Sequence, residues 1–323
     1  MRLVFLGAGA IGGGVAGYLA RAGREVLLVA RGAHLAAMRE RGLHIESPDG
    51  NFVVTPPVAD PRDPIAWRDG DVLVLAVKLQ DAAPALRELA APAHVPVVCM
   101  TNGIEGERIA LRHARDVYGA CVWMPATFLT PGVVQVWASP SPGAIDLGRY
   151  PDGTGEMADE IVGELVAGGF DSEVRTSVMK WKRGKLVSNL ANGAEALCGP
   201  EARRSPLAER ARAEARECFA AAGLSCTTEA EDRARRTPFE SKPIAGAKRE
   251  GGSTWQSLVR GATTLEIDYL NGEIAMLGRL HGVPTPVNEF LQRFVTEAVR
   301  AGARPGAMPL ADLVAKAPSE PAA

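Results

Sequence analysis

Residues 2–31, RLVFLGAGAIGGGVAGYLARAGREVLLVAR, decide the fold of this chain. The apolar run RLVFL predicts a buried strand, and a glycine-rich loop follows it at residues 7–12. Residues 15–22 are compatible with a helix, and EVLLVA at residues 25–30 predicts a second strand that ends beside Arg31. A strand, a glycine-rich loop, a helix and a second strand in this order predict a dinucleotide-binding βαβ unit.

The glycine-rich loop is expected to hold the pyrophosphate of a dinucleotide. It consists of Gly7, Ala8, Gly9, Ala10, Ile11 and Gly12. Gly7 allows a tight turn, Gly9 lets the backbone approach the pyrophosphate, and Gly12 permits close packing of helix on strand. The N-terminus of the following helix adds unpaired N–H groups and the positive end of the helix dipole.

Arg31 indicates which dinucleotide is bound. An Asp or Glu at the end of the second strand accepts hydrogen bonds from the ribose 2′-hydroxyl of NAD. An arginine instead offers charge and donors to the 2′-phosphate of NADP. We therefore expect NADPH/NADP as the cofactor, the alternative being that Arg31 is a solvated arginine at a strand end.

Composition is typical of a globular enzyme with two domains. The chain has 323 residues, 46% of them hydrophobic and 23% charged, with a formal net charge of −2. That charge favours neither nucleic acid nor a membrane surface as a partner, and no apolar run reaches the length of a membrane span. The five cysteines are scattered without zinc-ligand spacing, which predicts no metal site and fits a reducing, cytoplasmic compartment.

The order of predicted elements divides the chain. Strand-like runs such as residues 71–77 and 95–100 alternate with helix-compatible stretches, which predicts an α/β fold with a doubly wound, Rossmann-type parallel sheet. Later runs at residues 118–124, 133–137 and 144–147 are expected to extend this sheet. Helical periodicity dominates from Met179 onward, with a loop at residues 237–253. We expect an NADP-binding Rossmann domain over residues 1–175, an all-helical substrate and catalytic domain over residues 176–304, and a poorly ordered tail over residues 305–323.

Polar residues at the ends of two predicted strands outline a ligand crevice. Lys78 follows the strand at residues 71–77, and Asn102 follows the strand at residues 95–100. Open α/β sheets bind their ligands outside the carboxyl ends of parallel strands. Together with the glycine loop, these two residues predict the lining of a site; the alternative for each is an ordinary turn or helix cap.

A second group of polar residues lies on a predicted helix of the second domain. In MKWKRGKLVSNLANG, residues 179–193, spacings of three and four place four side chains on one face: Lys182, Lys185, Asn189 and Asn192. Asparagines are poor helix formers, so their clustering with lysine favours a ligand-binding face over a solvated one. Glu266, further along the chain, is either another site residue or an ordinary surface acid.

With these residues in place, the chain resembles the ketopantoate reductase (2-dehydropantoate 2-reductase) family up to about Arg300. The motifs that match in order are GAGAIG with Arg31, Val77-Lys78, Asn102-Gly103, Lys185-Leu186 with Asn189, and EIDYLNG at residues 266–272. The resemblance implies a Rossmann domain, a helical C-terminal domain, and NADPH as the reductant of a 2-oxo acid.

The resemblance also implies a role for each candidate residue. These roles are proton donor for Lys185, positioning of nicotinamide and substrate for Asn102, lining of the substrate pocket for Asn189 and Asn192, binding of the substrate hydroxyl for Glu266, and binding of its carboxylate for Ser253.

Two departures from the family pattern leave alternatives open. Gly193 stands where the family often has a second asparagine, so Asn192 is the candidate here. The spacing from tryptophan to lysine is longer than in many members, which keeps Lys182 as a rival proton donor. Thr254 is a rival to Ser253.

The expected function is NADPH-dependent reduction of 2-dehydropantoate (ketopantoate) to pantoate in pantothenate biosynthesis. The partner is then a small-molecule 2-oxo acid, with neither nucleic acid nor membrane involved, and the oligomeric state is open, a homodimer included. One alternative is a family reductase that acts on a different 2-oxo acid or ketone. The other is a non-catalytic NADP-binding regulatory protein, against which the presence of Lys185, Asn189 and Glu266 argues.

Overall fold

The computed structural model describes residues 1–319 and divides the chain into two compact units. The first comprises Met1–Lys182 and Thr228–Arg249, and the second comprises Arg183–Thr227 and the described chain from Glu250 onward. The boundary lies inside a helix rather than at residue 175, where the sequence placed it.

The strands described for residues 1–319 all belong to the first unit. They are β1 (Arg2–Leu6), β2 (Val26–Val29), β3 (Leu43–Glu46), β4 (Phe52–Val54), β5 (Val58–Ala59), β6 (Asp71–Leu75), β7 (Val97–Cys99), β8 (Val117–Trp123), β9 (Ala126–Thr127), β10 (Val133–Val136), β11 (Ala138–Pro140), β12 (Ala144–Arg149) and β13 (Phe239–Ser241).

The α-helices of the described chain are α1 (Ala10–Arg21), α2 (Gly32–Arg41), α3 (Leu79–Leu89), α4 (Gly106–Ala110), α5 (Glu156–Ala167), α6 (Val178–Asn189), α7 (Asn192–Cys198), α8 (Pro206–Ala221), α9 (Glu229–Arg235), α10 (Ser253–Val259), α11 (Asn271–His281), α12 (Pro286–Arg300) and α13 (Leu310–Lys316). Two 3₁₀ helices span Pro200–Arg204 and Glu266–Tyr269. None of these helices is both long and apolar enough to cross a membrane.

A seven-stranded sheet forms the centre of the first unit. Its order is β12-β8-β7-β6-β1-β2-β5, and neighbours are parallel except β12, which runs antiparallel to β8. Every residue of β6 and β8 is buried, as expected for strands covered on both faces. The order reverses between β1 and β6, which is the arrangement of doubly wound dinucleotide-binding sheets. The predicted fold of the first domain is confirmed.

A smaller sheet, β4-β3-β10-β9, lies against α1. The run at residues 133–137 was expected to extend the main sheet, and this prediction is wrong, because β10 pairs with β3 and β9 instead. Glycines of α1 allow this contact, because a Cβ on Gly17 would lie 2.7 Å from Ile45 Cδ1 and a Cβ on Gly13 would lie 3.1 Å from Val134 Cγ2. Larger residues on this face of α1 would push the small sheet away.

The segment Thr228–Arg249 returns to the first unit. It contains α9 and β13, and β13 pairs antiparallel with β11. This corrects the expectation that residues 237–253 form a loop between helices of the second domain. A three-residue strand is too short to show a periodic pattern, so the sequence does not reveal it.

The second unit is helical over its described residues, as predicted. The predicted helix that contains residues 179–193 is two helices, α6 and α7, separated by a turn at Leu190 and Ala191. The buried side-chain amide of Asn271 donates to the Leu190 carbonyl at 3.1 Å and to Asn288 Oδ1 at 2.9 Å. Asn271 thus satisfies the carbonyl where the helix is interrupted.

The expected poorly ordered tail is corrected for residues 310–316, which form α13. Leu313 is fully buried, and the N–H groups of Gly306 and Met308 donate to the carbonyls of Ala196 and Leu197. The composition, rich in Pro and Ala, predicted disorder, but one buried leucine and two backbone hydrogen bonds hold the segment in place. Residues 320–323 of the expected tail lie outside the described residues.

Candidate active site

The glycine-rich loop lies where the strand order of the main sheet reverses. Gly7 follows β1 with a φ of +105°, a conformation that favours glycine. A Cβ on Gly7 would lie 2.8 Å from Val77 Cγ1 and 2.9 Å from the Ala76 carbonyl oxygen. A Cβ on Gly12 would overlap the Gly7 carbonyl oxygen. The turn and the start of α1 are therefore packed as closely as glycine permits.

Gly9 has open space where Gly7 and Gly12 have none. The nearest protein atom to a Cβ on Gly9 would be Phe128 Cδ1, at 4.0 Å. Gly9 is the N-cap of α1, and the first helical hydrogen bond runs from Gly13 N–H to its carbonyl at 2.8 Å. The N–H groups ahead of Gly13 have no acceptor within the helix, and the first turn holds no acidic residue. The open space at Gly9, the unpaired N–H groups and the positive end of the α1 dipole together fit a pyrophosphate.

The other three candidates of the first unit follow strands next to β1. Arg31 follows β2 and is the N-cap residue of α2; its side chain is exposed, with Nη1 3.5 Å from Glu88 Oε2. Lys78 lies between β6 and α3 and is half-buried. Asn102 follows β7, half-buried and next to Gly103, whose φ is +73°. Because β2, β1, β6 and β7 are adjacent and parallel, these residues lie at one edge of the sheet, as expected.

His34 supports the glycine loop, and the sequence analysis missed it. Its Nε2 lies 2.7 Å from the Ala8 carbonyl oxygen, and its Nδ1 lies 2.9 Å from the Gly132 nitrogen. The Gly132 N–H donates to Nδ1, so Nε2 carries the proton and donates to Ala8, as in neutral imidazole. Burial lowers the pKa of His34, while the bond to Ala8 opposes that shift. No sequence signal connects residues 34 and 8.

Lys182, the rival proton donor, is buried in the first unit. Its Nζ lies 2.6 Å from Glu107 Oε1 and donates to the carbonyls of Thr101 at 3.0 Å and Cys99 at 3.4 Å. Its side chain is 2% exposed and that of Glu107 is fully buried. Burial raises the pKa of Glu107, and the Lys182 ammonium opposes that shift. Lys182 thus donates to two backbone carbonyls and forms an ion pair with Glu107, whose carboxylate oxygens have no hydrogen-bond partner of their own among the described residues.

The remaining candidates on α6 and α7 lie in the second unit. Lys185 and Asn189 are half-buried and one helical turn apart, so they share a face of α6. Asn192 begins α7 and is 3% exposed. Its Oδ1 accepts a hydrogen bond from Arg203 at 2.9 Å, and Arg203 also lies 2.6 Å from Glu195 Oε2. Arg203 is a further polar residue that the sequence did not single out.

Ser253 lies close to this group of residues. It begins α10 directly after Gly252, where a Cβ would be 3.0 Å from Glu195 Oε2 and 3.1 Å from an Arg203 nitrogen. Ser253 is half-buried, while its rival Thr254 is buried. The structure therefore brings the start of α10 next to Asn192 through Arg203.

Gly193 packs against Ile267, the residue that follows Glu266. Glu266 is buried and begins the 3₁₀ helix before α11. A Cβ on Gly193 would lie 3.0 Å from Ile267 Cδ1 and 2.9 Å from Val295 Cγ2. Position 193 has no room for an asparagine in this packing, which gives a physical reason for the departure at that position. Among residues 1–319, no group of three or more His, Cys, Asp or Glu could hold a metal ion.

Comparison with known proteins gives one consistent family. The model described as "Ketopantoate reductase PanE/ApbA" matches residues 3–152, and the model described as "Ketopantoate reductase PanE/ApbA C terminal" matches residues 177–299. A 2-dehydropantoate 2-reductase of Mesorhizobium japonicum is 32% identical, over 88% of this chain and 94% of that protein. One of Halobacterium salinarum is 28% identical, over 94% of this chain and 100% of that protein.

Solved structures agree on the fold. The crystal structure of a PanE/ApbA family ketopantoate reductase from Ralstonia eutropha JMP134 has a TM-score of 0.77 at 26% identity, over 94% of this chain and 99% of that one. A ternary structure of D-mandelate dehydrogenase with NADH and anilino(oxo)acetate has a TM-score of 0.80 at 22% identity, also over 94% of this chain and 99% of that one. The second likeness is evidence for the fold alone.

Proposed function

The chain belongs to the ketopantoate reductase family, and we propose that it reduces 2-dehydropantoate (ketopantoate) to pantoate with NADPH. The observation that carries the proposal is the family match in both units, together with near full-length similarity to curated 2-dehydropantoate 2-reductases. The open space at Gly9 supports it from the structure, because that space fits the pyrophosphate of a nicotinamide dinucleotide.

Arg31 supports NADPH over NADH. Its guanidinium is exposed at the end of β2, with Glu88 at 3.5 Å as its neighbour. A 2′-phosphate would offer this guanidinium a stronger, doubly charged partner than a surface carboxylate. The D-mandelate dehydrogenase structure of the same fold contains NADH, so the choice between the two cofactors depends on this chain's own residues.

Lys185 is the proposed proton donor. The bound cofactor supplies the hydride, and the protein supplies orientation, charge and the proton. An ammonium at the C2 oxygen stabilises developing negative charge and delivers a proton to it. Lys182 is unsuited to this role because it is buried with Glu107 and two backbone carbonyls, whereas Lys185 is half-buried.

The remaining residues are proposed to bind and orient the 2-oxo acid. Asn102 positions nicotinamide and substrate, and Asn189 and Asn192 line the pocket. Arg203 donates to Oδ1 of Asn192 and so fixes the orientation of the amide, whose NH₂ group is the proposed donor to the substrate. The two remaining roles are binding of the carboxylate by Ser253 and of the substrate hydroxyl by Glu266.

The division of labour follows the two units. We assign the cofactor to the first unit and most substrate contacts to the second. The division between these two roles then follows the units of the structure rather than a boundary at residue 175. A cytoplasmic location and a homodimer are part of the proposal; light scattering on the purified chain tests the second.

A panel of 2-oxo acids assayed with NADPH and NADH tests the function. Ketopantoate is expected to give the highest kcat/KM, with NADPH preferred. The panel includes the 2-oxo acid related to mandelate, because the D-mandelate dehydrogenase likeness covers most of the chain. A much better substrate than ketopantoate would replace it in the proposal. Tight NADPH binding without turnover of any acid would favour a regulatory protein.

A further inference from the structure

Lys182 and Glu107 form a buried charged pair, and Lys182 contacts the backbone that leads to Asn102. Glu107 lies at the start of α4, and Lys182 lies on α6. Besides the 2.6 Å contact with Glu107, Lys182 reaches the carbonyl of Cys99, the last residue of β7, and the carbonyl of Thr101. Lys182, paired with Glu107, therefore holds both ends of the short link between β7 and Asn102.

The Thr101 carbonyl belongs to the peptide unit that precedes Asn102. A donor fixed on that oxygen fixes the plane of the peptide, and the plane sets the direction in which the Asn102 side chain leaves the backbone. The Thr101 side chain does not hold the turn, because its Oγ1 is buried without a hydrogen-bond partner among the described residues. Gly103, with a φ of +73°, follows and adds no side chain to limit the turn.

Stability alone is a weak reason for such a pair. Replacing a buried ion pair by well-packed hydrophobic residues is often neutral or stabilising, because desolvation of two charges offsets their attraction. An ammonium with three donors, however, can hold a carboxylate and two carbonyls in fixed directions, which apolar residues cannot do.

We propose that Lys182 and Glu107 are positioning residues for Asn102, and that through Asn102 they set how nicotinamide and the 2-oxo acid are placed. This inference rests on the proposed function. It assigns the two lysines of the motif different tasks: Lys185 donates the proton, and Lys182 holds the turn at the end of β7.

A double-mutant cycle tests the proposal. The variant Lys182→Met/Glu107→Leu removes both charges and leaves no unpaired charge in the core, so it is expected to fold where Lys182→Met alone fails. We expect kcat/KM to fall by up to about 100-fold, as small misplacements near a reacting centre do. In an Asn102→Ala background the same pair of changes should cost less than about 3-fold, because residues that act through one another are non-additive.

Lys180→Met is the matched control. Lys180 lies on the same helix and also forms a 2.6 Å ion pair, with Glu231, but both side chains are about one-third exposed. Its removal should leave kcat/KM unchanged. An equal loss in the two variants would show that the effect comes from α6 in general and would overturn the proposal, as would an additive loss in the Asn102→Ala background.

NADPH affinity, measured by fluorescence, separates this proposal from the proposed function. If the wild-type chain reduces no 2-oxo acid, the proposed function is wrong. The double-mutant cycle can still be measured, with NADPH affinity in place of kcat/KM. We expect Lys182→Met/Glu107→Leu and Asn102→Ala to weaken NADPH binding by similar factors. Combining them should weaken it little further. Wild-type NADPH affinity and turnover in Lys182→Met/Glu107→Leu would overturn the positioning role.

Discussion

Arg235 donates to both carboxylate oxygens of Asp146, at 2.6 and 2.9 Å, and this buried pair fastens α9 to the edge strand β12. Arg175 lies on the same carboxylate at 2.9 Å. The contact joins positions 89 residues apart and explains how the segment Thr228–Arg249 belongs to the first unit although second-unit sequence surrounds it.

Arg235→Met is expected to lower the free energy of unfolding by about 3 kcal/mol, which is near the smallest loss usual for breaking a buried ion pair. The loss is small for such a pair because Arg175 still pairs with Asp146. Denaturant titration measures the loss. Arg39→Ala is the control, since its pair with Asp63 is half-exposed on both sides and is worth less than about 1 kcal/mol. Equal losses in the two variants would contradict the role given to Arg235.

Gly9→Ala and Gly12→Ala should separate cofactor binding from folding. A methyl group on Gly9 meets no protein atom closer than 4.0 Å, so the variant should keep its melting temperature but bind NADPH at least about 10-fold more weakly. A methyl group on Gly12 overlaps the Gly7 carbonyl oxygen, so that variant should lose stability. Calorimetry and fluorescence titration check both. Undiminished NADPH affinity in Gly9→Ala would place the pyrophosphate elsewhere.

His34 should make the first unit sensitive to acid. Burial lowers its pKa, so the unfolded chain binds the proton more readily than the folded one. The stability due to neutral His34 is present above the unfolded pKa of about 6.5 and is lost as the pH falls through it toward the lower folded pKa. Protonation also places a proton on Nδ1 and so removes the acceptor for Gly132 N–H.

We therefore expect the melting temperature and NADPH affinity to fall as the pH drops below about 6.5 toward the lower folded pKa of His34, and the fall to be smaller in His34→Gln. Glutamine offers one donor and one acceptor without titrating in this range. The same pH dependence in the wild type and in His34→Gln would assign it to other groups.

Arg31→Ser should change cofactor choice. Loss of charge-assisted hydrogen bonds to the 2′-phosphate is expected to raise the KM for NADPH by about 10- to 100-fold, from about 1.5–3 kcal/mol. The KM for NADH should stay within about 2-fold, because NADH has no phosphate at that position. Steady-state assays with both cofactors measure this. A parallel rise in both KM values would instead indicate a role of Arg31 in α2.

Strong local patterns predicted the central part of the fold. The bounds of β1 were predicted to the residue, because an apolar run ends at a glycine loop. The short strands β3, β4 and β5 were missed, since two to four residues do not display a period. The run at residues 133–137 was placed in the wrong sheet because a pattern of burial does not name the partner strand.

The candidate site shows a similar limit. Position along predicted strands put Arg31, Lys78 and Asn102 at one edge of the sheet, where the structure has them. His34 contacts Ala8 across 26 residues, and Lys182 contacts Thr101 across 81, so no local pattern could reveal either contact. Helical spacing predicted a shared face for Lys182 and Lys185, yet the structure buries the first and leaves the second half-buried.

The central claim is that Lys185 protonates a 2-oxo acid reduced by NADPH, and the most direct measurement is turnover of ketopantoate by the wild type and by Lys185→Ala. The wild type should turn over, and the variant should lose about 10²- to 10⁴-fold in kcat, the usual contribution of a general acid, with its NADPH affinity unchanged. Near wild-type kcat in Lys185→Ala would contradict the account.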